Sequence, residues 1–126
     1  MRYTDIQNIA NKQNDWLKSL DFYKEDLDIL TNRLNEVSAK NTGKDMLASV
    51  DHFESRFDIQ RQNISNLQHR IKATIHSCST DIQQHAGKVN ERLVQDSKKN
   101  EEDLSFFETD INELRKEFNL FLAKWM

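Results

Sequence analysis

Residues 6–37 read IQNIANKQNDWLKSLDFYKEDLDILTNRLNEV. Ile6, Ile9, Trp16, Leu20, Tyr23, Leu27, Leu30, Leu34 and Val37 recur in steps that alternate three and four. Gln13 fills the one place where a large apolar side chain is missing. An α-helix turns once in about 3.6 residues, so this spacing gathers the apolar side chains into one stripe. Such a stripe, held for about five heptads, is buried most readily against other helices of the same kind.

Working outward, Thr4 followed by Gln7 has the pattern of a capping box at the start of this helix. Residues 38–44 lack large apolar side chains and contain Asn41, Thr42 and Gly43, which read as a turn. A second seam follows at Met46, Val50, Phe53, Phe57, Ile64, Leu67, Ile71 and Cys78, with Gln60 and Thr74 as its polar members. Its register then blurs, because the next strict places are Asp81 and His85. Ile75, Ile82, Ala86, Val89 and Leu93 carry the stripe onward with a small change of phase, and Gly87 is a candidate left-handed helix end.

The third seam is clean again: Leu104, Phe107, Ile111, Leu114, Phe118, Phe121 and Trp125. Its start has two readings. The helix begins near Lys88, straight after the turn, or near residues 96–100, where Asn100 stands as a cap before Glu101, Glu102 and Asp103. A break at Ser77, Ser79 and Thr80 ranks last, since apolar spacing runs through it. The expected helices are therefore about 4–39, 44–85 and 88 or 97 to 125. Each is roughly 45–60 Å long at about 1.5 Å per residue. Short connections make successive helices antiparallel, so the expectation is an all-α, elongated, antiparallel three-helix bundle of up-down-up topology, with coiled-coil-like heptad seams, in one domain spanning 1–126.

Composition agrees. The 126 residues include no Pro and two Gly, too few punctuators for a β-rich domain. Charged residues are 31% and apolar residues 37%, the mix of solvated helices with one apolar stripe each. The net charge of −3 is spread along the chain without a basic run, which argues against a nucleic-acid partner. No apolar run has the length of a membrane span, and the N-terminal residues lack the apolar core of a signal peptide. With a single cysteine, Cys78, the expected location is the cytoplasm.

Two segments, residues 21–42 (DFYKEDLDILTNRLNEVSAKNT) and 113–126 (ELRKEFNLFLAKWM), resemble a group of small uncharacterised bacterial all-helical proteins. The resemblance covers under half the chain. It implies a bacterial helical bundle and brings no activity, cofactor or partner with it.

Candidate sites are few. Cys78, Asp81 and His85 share one helical face, and all three are ligand types. Cys78 and His85 lie about 10.5 Å apart along a straight helix, too far for one ion to join all three. Asp81 and His85 would need a further ligand from another helix. As a nucleophile, Cys78 has no well-placed base, since His76 lies across the helix and His85 two turns on. Glycine-rich phosphate loops, nucleophile elbows and zinc-binding helix motifs do not occur. The expectation is no metal, no cofactor and no enzymatic activity.

The aromatics Trp16, Tyr23, Phe53, Phe57, Phe107, Phe118, Phe121 and Trp125 sit in the seams and read as core. Phe22, Ile29, Ile59 and Phe106 each stand one place before a seam residue. Folding at the two turns brings them to a similar height midway along the rod. They either widen the core stripe or form an apolar band for self-association or a partner helix. Gln13, Ser97 and Asn100 are polar at seam places, and an up-down-up bundle brings them together as a polar layer or as a frayed end. The leading reading is a non-enzymatic structural or protein–protein interaction bundle, with a homo-oligomer as one form of it. The alternative is a metal-binding or enzymatic bundle using the Cys78, Asp81 and His85 region.

Overall fold

A computed structural model describes residues 3–85 and 91–125, with side chains described for 5–80 and 91–125. Three helices account for all described residues except 41–43: α1 (Tyr3–Lys40), α2 (Lys44–His85) and α3 (Glu91–Trp125). Cross-helix contacts give their directions. Asp21 meets Gln68 while Thr31 meets Arg61, so α1 and α2 are antiparallel. Arg70 meets Asp103 while His52 meets Glu117, so α2 and α3 are antiparallel too. Gln13 meets Ser97 and Tyr23 meets Glu108, which makes α1 and α3 parallel. The fold is the antiparallel three-helix bundle that the seams predict.

The seams bury as the spacing requires. Leu20, Leu27, Leu34, Phe57, Ile64, Ile71, Ile111, Leu114 and Phe118 lie in one continuous core that draws on all three helices. Toward the α1–α2 turn this core is aromatic. Phe118 packs edge-on against Phe53 and Phe57, with ring centroids 5.1 and 5.2 Å apart. Trp16, Tyr23 and Trp125 pack half-buried against its margin. A smaller cluster of Ile6, Cys78 and Leu93 closes the other end.

The helix ends differ in detail from their sequence signals. α1 already includes Tyr3, and Gln7 donates its amide forward to Asn11 at 3.1 Å. At the other end of α1, the Asn41 side-chain amide donates to the Val37 carbonyl of the last turn at 3.0 Å. The Gly43 carbonyl accepts the first hydrogen bond of α2, from the Leu47 N–H. α2 runs unbroken through Ser77, Ser79 and Thr80, where the Thr80 hydroxyl donates back to the His76 carbonyl. α3 includes Glu91, so Asn100 is not a cap: it lies inside the helix with its side chain turned inward. The proposed helix end at Gly87 lies outside the described residues.

That inward turn has a cause. Asn100 is 4% exposed, and its amide donates to Gln13 Oε1 at 3.1 Å and to Thr74 Oγ1 at 3.0 Å. Gln13, fully buried, donates in turn to Ser97 Oγ at 2.9 Å, and Thr74 donates to the Arg70 carbonyl. Gln13, Thr74, Ser97 and Asn100, from all three helices, thus form one hydrogen-bonded layer, while Gln60, another buried polar seam residue, accepts from Asn63 outside it. The layer is not a frayed end, since each of its amides finds its partners within the seam.

Polar staples line the three grooves outside the core. Arg61 of α2 reaches α1, donating to Thr31 Oγ1 and lying 3.5 Å from Asp28. Arg70 of α2 donates to Asp103 of α3 at 2.6 Å. Between α1 and α3, Tyr23 donates to Glu108 at 2.7 Å, and Arg115 Nε lies 3.1 Å from Asp26 Oδ2. The last contact is an ion pair without an aligned hydrogen bond, because the buried Asp26 Oδ2 accepts none.

Two stability outcomes follow from these contacts. Asn100→Ala strips Gln13 and Thr74 of their donor and is expected to lower urea-derived stability by about 2 kcal/mol. Replacing the layer together (Gln13→Leu, Thr74→Val, Ser97→Ala, Asn100→Leu) recovers that loss but broadens the association states seen by light scattering. Gly43 has no left-handed backbone, and a Cβ there would meet nothing within 4 Å. Gly43→Asp is therefore expected to stabilise by about 0.5 kcal/mol in thermal denaturation, through a side-chain cap and a less flexible unfolded chain.

Candidate functional site

In the heptad of each helix the seam occupies positions a and d, which leaves c on one outer flank and b on the other. Tyr23 and Asp26 turn α1 toward α3, so the c positions of α1, Phe22 and Ile29, border the α1–α3 groove. Arg70 and Asp103 meet across the α2–α3 groove, so the c positions Ile59 of α2 and Phe106 of α3 border that one. All four are more than half exposed. They do not widen the core, because a residue at c is turned too far from the seam to reach it. Nor do they form a single band, because α3 stands between the two pairs.

The α2–α3 groove is the richer surface. Phe106 is 64% exposed and lines a hollow with Asn66, Leu67, Arg70, Asp103 and Asp110. Farther along, Leu120 is 75% exposed and lines a second hollow with Ala48, His52, Phe53, Phe121 and Trp125. Ile59 stands on α2 between them. Leu120 is absent from the sequence-derived candidates, although it precedes Phe121 as Phe106 precedes Phe107. The same rule of one place before a seam residue would have found it. Leu47, also half exposed, follows Met46 and obeys no such rule.

Charge fixes the walls of this groove. Burial by itself would raise the Asp103 carboxyl, but hydrogen bonds from Arg70 and Lys99 outweigh it and hold the group below its ordinary value. At the opposite end His52 Nε2 lies 2.8 Å from Glu117 Oε1. On the other flank of α3, the Tyr23 phenol is pushed up to about 12, by burial first and then by its hydrogen bond to Glu108. All three carboxylates, Asp103, Glu117 and Glu108, serve as anchors between helices.

The region of the metal alternative reads differently. Cys78 is 2% exposed and packs with Ile6 and Leu93. His76 is exposed on another face of α2. The side chains of Asp81 and His85 lie outside the described residues. Among the described residues no group of three His, Cys, Asp or Glu is placed to hold a metal ion, and no helix is long and apolar enough to cross a membrane. Comparison of the chain with protein-family models, with curated proteins and with solved structures finds no match.

The Tyr23 phenol has a checkable consequence. A pKa raised in the folded state stabilises the fold below the ordinary value of 10.0, and that contribution is lost as pH rises through about 12. Tyr23→Phe should therefore flatten the alkaline loss of stability in this window. In ultraviolet titration it should also remove the tyrosine component that ionises near pH 12.

Proposed function

We propose that this protein is a non-enzymatic structural or protein–protein interaction module, a three-helix bundle that presents helix faces to another protein surface. The observation that carries the reading is the row of large apolar side chains left exposed along the α2–α3 groove, Phe106, Ile59 and Leu120. Water around exposed aromatic and leucine side chains is released when a partner covers them, and such rows commonly mark an interaction surface. The groove is shallow and open, which suits a helix face better than a small substrate. The regular heptad seams support a coiled-coil-like mode of recognition, with the buried aromatics keeping the outer faces rigid. Burial of the one cysteine suits work in a reducing cytoplasm, and the likeness of residues 21–42 and 113–126 to small bacterial proteins supports a bacterial source.

The triple variant Ile59→Ser, Phe106→Ser, Leu120→Ser tests this reading. Its melting temperature should stay within a few degrees of the parent, since none of the three side chains belongs to the core. Immobilised parent protein should retain a protein species, a second copy or another chain, that the triple variant releases. If the parent retains nothing, or both retain the same species equally, the reading is wrong.

A further inference from the structure

The occupant of the α2–α3 face can be argued from the face itself, taking the interaction reading above as its basis. On α3, Phe106 and Leu120 stand two heptads apart, with Glu113 midway between them. The cross-helix contacts Arg70–Asp103 and His52–Glu117 place Ile59 of α2 near the level of Glu113. The hollow beside Phe106 and the hollow beside Leu120 therefore lie on opposite sides of that level, at similar distances. A two-fold axis lying in the face, across the rod at Glu113, exchanges one hollow for the other.

The geometry points to a second copy of this chain as the occupant, in an antiparallel isologous dimer through the α2–α3 face. In that arrangement Phe106 enters the hollow beside Leu120 of the second copy, Leu120 enters the hollow beside Phe106, and Ile59 meets Ile59. The charges follow the same reversal. Running α3 against itself about Glu113 brings Asp103 beside Lys124 of the second copy at each end of the contact, and Asp110 beside Glu117 nearer the axis. A parallel dimer would set Phe106 near Asn66 and Leu120 near His52, each apolar side chain against a polar one. An isologous contact needs this self-complementary pattern, and the pattern appears only in the antiparallel case.

The size of the face sets the strength. Two helices are about 20 Å wide, and the stretch around Phe106 to Leu120 is about 30 Å long, so about 600 Å² per copy is covered. About 1,200 Å² in total is the lower bound of a stable interface. Glu113 meets its own copy at the axis and Asp110 meets Glu117, like-charge contacts that weaken the arrangement. Both features fit a dimer that forms and dissociates with concentration. Phe22 and Ile29 lie on the other flank of α3 and take no part.

Sedimentation velocity over a wide concentration range tests the dimer, and a charge-pair exchange tests its geometry. Phe106→Lys and Leu120→Glu should each weaken self-association about tenfold or more, with helicity by circular dichroism unchanged. Mixed together, the two variants should recover a one-to-one dimer, because one chain's lysine then faces the other's glutamate while the second contact stays native. In a Cys78→Ala background, Ile59→Cys should cross-link to itself under mild oxidation. Phe106→Cys should cross-link to Leu120→Cys but not to itself. A parent protein that stays monomeric throughout overturns the dimer, as does cross-linking of Phe106→Cys to itself. If a monomeric parent still retains a different protein that the triple serine variant releases, the dimer fails while the wider interaction reading stands.

Discussion

A buried amide surrounded by leucine and isoleucine must find hydrogen-bond partners or destabilise the fold. Asn100 finds them on both neighbouring helices, Gln13 on α1 and Thr74 on α2. An apolar heptad seam tolerates slippage by one heptad, since one leucine replaces another with little change. The polar layer does not, because a shift would leave Gln13, Thr74 and Asn100 facing apolar side chains. The register of all three helices therefore hangs on this one plane near the end of the rod.

Everything farther along follows from that register. Arg115 comes opposite Asp26, Tyr23 opposite Glu108 and Arg70 opposite Asp103. The aromatic end of the core is assembled in the same way, with Phe118 between Phe53 and Phe57. So is the outer face. Ile59 stands level with Glu113 only because α2 and α3 are held at this offset, and the mirrored spacing of Phe106 and Leu120 about that level has meaning only then. The layer that locks the inside thereby arranges the surface proposed to dimerise.

The readable parts of the sequence were the ones where a single helix decides. The seam of α1 and the seam from Leu104 to Trp125 bury almost as spaced, because periodicity alone selects the stripe. The second seam keeps strict register through Thr74 and Cys78, although Ile75 offers an apolar alternative. Ile75 is only half-buried, since Thr74 has Asn100 to pair with and a phase change would break that bond. Asn100 misleads as a helix cap for the same reason: its local pattern, an amide before three acidic residues, is that of a helix start, and its actual partners are far away in the chain. The band of Phe22, Ile29, Ile59 and Phe106 divides because height along a rod is readable from turns, while the flank each residue occupies depends on which helix stands beside it.

By itself the sequence determined three amphipathic helices, their approximate ends, their antiparallel order and the identity of the core, because these rest on spacing, on turn residues and on short connections. Tertiary structure alone decided that Gln13, Thr74, Ser97 and Asn100 close into one layer, that Cys78 packs with Ile6 and Leu93, and that Phe22 and Ile29 border one groove while Ile59, Phe106 and Leu120 border another. Each of these depends on which side chains meet across helices. Hydrogen bonds and ion pairs act over a few ångströms, and residues that far apart in the chain reach that distance only once the three helices have docked.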